Sequence, residues 1–397
     1  MESLQLVDDG NGSPAEPRWC AVTGGRGFLA RHLVAALLRS GEWRVRVTDL
    51  APDIVLGPDE TEQPLGDALR DGRAVYAPAD VCNLEQLTKA FEGVDVVFHT
   101  ACADYTKNDL QLHNKVNVQG TNTVVDACKI CKVKRLIYTS SSAVVFDGVH
   151  GHSNVNESKP YPDKFPDAYA KTKAEAEKLV MKANETSEIL TCCIRPGSIF
   201  GPGDKIVPLA DYYGRIQVII GDGKNYDDFV YVENVVHAHI CAERALRTKE
   251  GAKISGGKAY FVTNMEQMNL WDFNYMVQKE LGYKRPFRIR IPFYVVLPIR
   301  MQQLQITPAI IKYATLNRTF SCDKAMEELG YKPTVTLRDG VKIAVKSYIH
   351  SRDVQRIKEG ITLRSSYAIY ALSISLKQIF KYLHYANVAK NSSVGTI

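Results

Sequence analysis

One short segment limits what this chain can fold into more than any other. Thr23-Gly24-Gly25-Arg26-Gly27-Phe28-Leu29-Ala30 stands between an apolar run of strand length, Trp19 to Thr23, and a stretch from Phe28 to Arg39 whose apolar residues recur at helical spacing. A strand that turns into a helix through glycines presents free N–H groups at the helix N-terminus, where the helix dipole favours an anion. Gly24 permits the tight turn, Gly27 lets the backbone approach a pyrophosphate, and Ala30 is small enough for the helix to pack closely on its strand. Gly24, Gly25, Arg26, Gly27 and Phe28 are therefore candidate dinucleotide-binding residues.

Apolar runs alternate with helical patterns through the first half, at Val45 to Thr48, Ala74 to Ala77, Val94 to Thr100, Leu136 to Thr139 and Thr191 to Ile194. The runs are continuously apolar, as parallel strands covered on both faces are. The expected architecture is α/β, a doubly wound parallel Rossmann sheet. From about Lys205 the rhythm breaks into shorter elements rich in Tyr and Pro, which predicts a smaller C-terminal substrate-binding lobe. The expected division is a flexible leader at 1–17, a dinucleotide-binding domain at 18–204 that later segments can rejoin, the lobe at 205–350, and an unpatterned tail at 351–397.

Composition narrows the function classes. The 397 residues are 45% hydrophobic and 24% charged, which excludes a disordered chain and a disulfide-stapled miniature. Fifty basic and 44 acidic side chains leave a net charge of +6 with no dense Lys/Arg stripe, so no nucleic-acid partner is expected. That charge still allows peripheral contact with an anionic membrane surface. The most apolar stretches of the second half, 291–299 and 367–376, fall short of the about 20 residues that a spanning helix needs. Acidic residues in the leader argue against a secretory signal, and nine cysteines without one read as reduced, cytosol-facing thiols.

Asp49 ends the second strand, where a carboxylate accepts hydrogen bonds from the adenosine ribose hydroxyls and repels a ribose phosphate. NAD is therefore expected over NADP, with Arg26, Arg44 and Arg46 close enough in sequence to blur the preference. Asp80-Val81, after the third strand, is placed to meet the adenine edge.

Tyr169 and Lys173 stand at i and i+4 on one face of a predicted helix. A phenol is a poor base at neutral pH, and a neighbouring ammonium together with an oxidised nicotinamide favours its phenolate. Upstream, Thr139-Ser140-Ser141-Ser142 closes a strand at the carboxyl edge of the sheet, where open α/β folds bind ligands. A hydroxyl there can orient a substrate oxygen, and three consecutive serines leave the choice among them open.

Together these segments resemble a known family, the extended short-chain dehydrogenases, and within it the decarboxylating sterol branch of the 3β-hydroxysteroid dehydrogenase group. The likeness runs from about Arg18 to His350 and also rests on Val144-Val145-Phe146-Asp147-Gly148, Arg195-Pro196-Gly197-Ser198-Ile199-Phe200-Gly201-Pro202-Gly203-Asp204 and Tyr231-Val232-Glu233-Asn234-Val235-Val236-His237-Ala238-His239. It implies NAD-dependent oxidation of the 3β-hydroxyl of a 4α-carboxysterol with decarboxylation at C4. Tyr169 would be the base, Lys173 would hold the nicotinamide ribose, Ser141 (with Ser142 as second candidate) would hold the oxygen, and Pro196-Gly197 would run beside the nicotinamide. The implied location is the cytosolic face of the endoplasmic reticulum membrane, and the expected partners are a sterol and a second copy in a homodimer. Three departures stand out: a shortened segment from Lys205 to Ile220, a reduced apolar hairpin from Ile291 to Leu304, and an unpatterned tail from about Ser365 where many plant relatives continue into a reticulon-like membrane domain.

The same Ser-Tyr-Lys set serves UDP-sugar epimerases and carbonyl reductases, and a catalytically silent NAD-binding protein is the competing class. No metal site is expected. Cys128 and Cys131 lie within a helical stretch with no second pair, His237 and His239 point to opposite sides of a helix, and Cys192 and Cys193 to opposite faces of a strand. His99, at the end of the fourth strand, reads as a structural residue.

Overall fold

The computed structural model of the chain describes residues 18–56, 64–185, 188–214, 216–284, 287–292 and 308–359. The leader at 1–17, residues 360–397 of the expected tail at 351–397 and most of the apolar segment 291–304 lie outside the described residues, and the tail's start is corrected because 351–359 continue the last described helix, Leu337–Glu359. The chain runs β1 (Arg18–Thr23), α1 (Phe28–Ser40), β2 (Trp43–Thr48), α2 (Pro64–Asp71), β3 (Ala74–Tyr76), α3 (Leu84–Phe91), β4 (Val96–His99) and α4 (Leu110–His113). A π-helical turn (Asn114–Gln119) joins α4 to α5 (Gly120–Ile130), and β5 (Arg135–Thr139), β6 (His152–Val155), α6 (Ala168–Glu185) and β7 (Leu190–Pro196) follow. Then come β8 (Ser198–Phe200), α7 (Ile206–Tyr213), β9 (Ile216–Ile220), β10 (Tyr226–Asp227), β11 (Phe229–Tyr231), α8 (Val232–Arg247), α9 (Lys249–Ser255) and β12 (Lys258–Val262). The last described elements are β13 (Met268–Asn269), α10 (Leu270–Glu280), β14 (Phe287–Ile291), α11 (Pro308–Thr315), β15 (Arg318–Phe320), α12 (Asp323–Leu329) and α13 (Leu337–Glu359).

Seven parallel strands form the central sheet in the order β12-β7-β5-β4-β1-β2-β3. Winding starts at β1 and proceeds outward to both sides, so the order reverses between β1 and β4, the point at which doubly wound sheets open a crevice for ligands. Side chains alternate across the sheet, and both faces are apolar. Cys20, Val22, Val96, Phe98, Ile137, Cys192 and Ile194 join one core with α1 and α8, while Ala21, Val97, Leu136, Tyr138 and Cys193 join the other with α3, α5 and α6. This is why the strands read as unbroken apolar runs.

Beyond residue 204, β12 returns to the sheet beside β7, and α8 packs against β5, β7 and α1. Asn234, fully buried near the start of α8, donates to the Val335 carbonyl (2.8 Å) and accepts from the Thr334 and Val335 N–H groups, tying α8 to the segment before α13. The smaller lobe holds short strands in a four-stranded sheet, β13-β10-β15-β6, and a parallel pair, β14-β9. Strands of two to five residues are too brief to show a period in sequence, which explains why the rhythm is lost after Lys205.

Leu33 on α1 has no solvent exposure. Leu33→Ala is expected to cost about 2–5 kcal/mol of stability through lost burial and a residual cavity, read from the urea unfolding midpoint.

Candidate active site

The site is built at the carboxyl ends of β1, β4, β5 and β7. After β1 the chain turns at Gly24, whose φ of 62° suits glycine, and a Cβ there would stand 2.7 Å from the Ala101 Cα. A Cβ on Gly25 would come within 2.6 Å of Val47 Cγ1. The loop is thus pressed onto the ends of β2 and β4, and only backbone fits between them. Gly27 caps α1 without a side-chain hydrogen bond, and the first turn of α1 carries no acidic residue. The helix N-terminus therefore offers its N–H groups with no internal anion, as a dinucleotide phosphate requires.

Asp49 lies beside this turn, its Oδ2 accepting from the Arg26 N–H at 2.9 Å and its Oδ1 from the Leu50 N–H at 2.7 Å. Its carbonyl accepts from the Ala79 N–H at 2.9 Å, which draws the segment bearing Asp80 and Val81 toward the same edge. Asp80 folds its carboxylate onto the Cys82 N–H (2.9 Å), and Val81 packs so closely on Gly120 that a Cβ there would meet its Cγ2 at 2.7 Å. Phe28 opens α1 with its ring edge-on to His32. At the far side, Pro196 ends β7 and the Gly197 N–H donates to the Val262 carbonyl at 3.0 Å. A Cβ on Gly197 would fall 2.2 Å from the Asp228 carbonyl oxygen, so only glycine fits.

Ser141, Tyr169 and Lys173 meet at the end of β5. The Ser141 hydroxyl accepts from the Ala143 N–H at 3.1 Å, capping a 3-10 turn (Ser142–Val145), and is near enough to the Tyr169 phenol to favour its ionised form. Ser140 and Ser142 are buried, and Ser140 Oγ has no partner among the described residues, so the geometry separates the three serines that the sequence leaves open. The Lys173 ammonium, only 3% exposed, donates to the Thr139 carbonyl and lies 4.2 Å from the centroid of the Tyr138 ring.

Burial holds the Tyr169 phenol above the usual tyrosine range, and the nearby Ser141 hydroxyl pulls it partly back. Burial lowers Lys173, against the nearby Cys102, Glu177 and Cys193. In the chain alone desolvation is the largest influence on the phenol, and the expected lowering by Lys173 and an oxidised nicotinamide acting together belongs to the cofactor-bound state.

Two features had no clear signature in the sequence. Asn117, on the π-helical turn, accepts from the Ala103 N–H at 2.9 Å and donates to Thr172 Oγ1 at 3.0 Å, joining the loop after β4 to α6. From that loop Tyr105 packs edge-on to Tyr169, with ring centroids 6.2 Å apart. The Asn108 side chain accepts from the Ala168 N–H at 3.0 Å, fixing the start of α6. His99 is held by Thr23 Oγ1 (2.7 Å) and Thr121 Oγ1 (2.9 Å), and His239 by Thr139 Oγ1 (2.7 Å) and the Val235 carbonyl (2.8 Å).

A glycine loop at the switch point of a doubly wound sheet, with Ser, Tyr and Lys converging at the next strand ends, defines an extended short-chain dehydrogenase fold. Solved structures with this fold include a dTDP-glucose 4,6-dehydratase from Streptomyces venezuelae with NAD bound, at a TM-score of 0.67 and 20% identity, covering 84% of this chain and 98% of that one. A UDP-galactose 4-epimerase matches at a TM-score of 0.63 and 20% identity, covering 84% of this chain and 99% of that one. The chain belongs to the 3-beta hydroxysteroid dehydrogenase/isomerase family, whose profile matches residues 21–293. It is 47% identical over 396 residues to 3beta-hydroxysteroid-dehydrogenase/decarboxylase isoform 1 of Arabidopsis thaliana, covering 95% of this chain and 90% of that protein. Isoform 2 is 49% identical over 84% of this chain, which spans 62% of that longer protein. The mouse sterol-4-alpha-carboxylate 3-dehydrogenase, decarboxylating, is 36% identical over 84% of this chain and 91% of its own length.

Burial holds His99 neutral, with its pKa down at about 3, and His239 down at about 4. In the unfolded chain these rings charge below about pH 6.5, so unfolding takes up protons between that pH and the folded values. Stability is expected to fall as pH falls through this window, by up to about 1.4 kcal/mol per pH unit for each ring. Urea midpoints at about pH 7 and about pH 5 should differ less in a His99→Gln variant than in the parent chain.

Proposed function

We propose that this protein oxidises the 3β-hydroxyl of a 4α-carboxysterol with NAD and thereby triggers loss of the C4 carboxylate. The observation that carries the reading is the convergence of the Tyr169 phenol with Ser141 at the end of β5, where the buried Lys173 ammonium is fixed on the Thr139 carbonyl. The near full-length match to a 3beta-hydroxysteroid-dehydrogenase/decarboxylase supports the substrate class. The glycine turn, the uncapped start of α1 and Asp49 at the end of β2 fit the diphosphate and adenosine ribose of NAD. When bound, NAD supplies the hydride acceptor for C3 and a positive charge beside the phenol.

The residues divide the remaining work. Ser141 holds the substrate hydroxyl against Tyr169, which takes its proton as the alcohol carbon is oxidised. Lys173, fixed on the Thr139 carbonyl, presents a cation that favours the phenolate once substrate and cofactor are in place. A ketone at C3 makes the C4 carboxylate a β-keto acid. The carboxylate leaves as carbon dioxide, the electron pair of the broken C–C bond passes into an enolate, and the developing oxyanion falls to the Ser141 and Tyr169 hydroxyls, with no metal required. Tyr105 packs edge-on to the phenol, and the loop from Ala103 to Asn108 is anchored beside it through Asn117 and Ala168.

Tyr169→Phe is expected to lower NADH formation from a 4α-carboxysterol by about 10²–10⁴-fold, with carbon dioxide release falling in parallel and NAD affinity retained. Unchanged turnover in that variant would sink the assignment. NAD binding with no turnover on sterols or nucleotide sugars would instead favour a silent binding protein.

The same reading includes a homodimer and peripheral contact with the cytosolic face of the endoplasmic reticulum membrane. Among the described residues no helix is long and apolar enough to cross a membrane. Exposed Leu209 and Tyr212 on α7 and Ile310 on α11 supply apolar side chains for surface contact. Co-sedimentation with anionic vesicles, weakened by replacing Leu209 and Tyr212 with serine, checks the contact, and analytical ultracentrifugation checks the dimer.

A further inference from the structure

Arg31 stands four residues after Gly27, the N-cap of α1. Helical side chains lean back toward the N-terminus, so an arginine here covers the first turn of its own helix. That is the wrong end of the helix dipole for a cation, which is disfavoured there unless an anion accompanies it. Among the described residues no such anion pairs with it. Arg31 Nε is buried with no hydrogen-bond partner among the described residues, and none of the described carboxylates pairs with the guanidinium. Asp204, on the neighbouring loop, already accepts from the Gly201, Ile206 and Val207 N–H groups.

The surroundings hold the guanidinium in place. His32, the next residue, is hydrogen-bonded to the Pro202 carbonyl at 2.9 Å, which lays the loop from Gly201 to Asp204 against α1. In that loop Gly203 has a φ of 88°, and a Cβ on it would stand 2.8 Å from Arg31 Nη2. The missing side chain makes the space that the guanidinium occupies. A partly buried guanidinium thus lies against the loop near the uncapped helix start, with its Nε donor unused among the described residues.

We propose that Arg31 is a further cofactor-binding residue, whose guanidinium clamps the diphosphate of the dinucleotide from the side of the Gly201–Asp204 loop. It would supply charge-assisted hydrogen bonds that the backbone N–H groups of the glycine turn cannot. The inference rests on the dinucleotide reading of the site and adds to it a residue outside the glycine motif.

Calorimetric titration of the purified chain with NAD, ADP and adenosine separates the possibilities. Arg31→Ala is expected to weaken NAD and ADP by about tenfold, leave adenosine unchanged, and flatten the dependence of NAD affinity on salt. Arg31→Lys should recover part of the loss. Unchanged NAD and ADP affinity in Arg31→Ala would overturn the proposal, as would an equal loss for adenosine, which marks a structural role. A parent chain that binds neither NAD nor ADP would overturn the dinucleotide reading itself, whereas a parent chain that binds both alongside an unaffected variant overturns only the clamp.

Discussion

The contact on which the rest of this structure depends is the seating of the Gly24-Gly25 backbone against Ala101 on one side and Val47 on the other. With room for no side chain, the turn brings the ends of β1, β2 and β4 to one rim. Each strand end then contributes separately: the start of α1 after β1, Asp49 after β2, and the loop carrying Tyr105 after β4. A bulkier residue at either glycine would part these elements, and the cofactor edge would lose its geometry before any functional side chain was touched.

Burial sets the electrostatics of the reactive corner. The phenol, the ammonium beneath it and the paired Glu177 and Arg195 farther along the same face all sit out of water. Loss of water pushes the phenol's pKa up and the ammonium's down, so the corner rests with a protonated tyrosine beside a lysine whose charge is less favoured than in water. Charge brought in from outside then has a large effect, because little solvent screens it. A site of this kind is quiet until filled.

How much of this could be read from the sequence follows from length scales. The six early strands alternate regularly with helices, and that rhythm, more than strand length, locates them and the helix after the glycine turn within a residue or two. The pairing of Tyr169 with Lys173 is a local matter of one helical turn, so spacing alone places both on one face. Asn117 and Tyr105 are different, because their roles depend on contacts with Ala103, Thr172 and Tyr169 that only the folded chain creates. The choice among Ser140, Ser141 and Ser142 was undecidable from residue type and became a matter of which hydroxyl turns toward the phenol. Sequence shows the neighbouring charge of Lys173 but not the loss of water around Tyr169, which is the largest influence on the phenol in the chain alone.

The π-helical turn from Asn114 to Gln119 has a consequence for how the family can vary here. Such a turn carries one residue more than an α-helix of the same rise, and one residue corresponds to about 100° of rotation. Deleting any single residue between His113 and Gly120 would restore a regular helix yet swing Asn117 away from Ala103 and Thr172. The segment thus behaves as a phase setting: helical content and hydrophobic pattern would survive such a deletion, while the loop bearing Tyr105 and the helix bearing Tyr169 would lose their common anchor. The number of residues between His113 and Gly120 therefore matters to this anchor more than the identity of most of them.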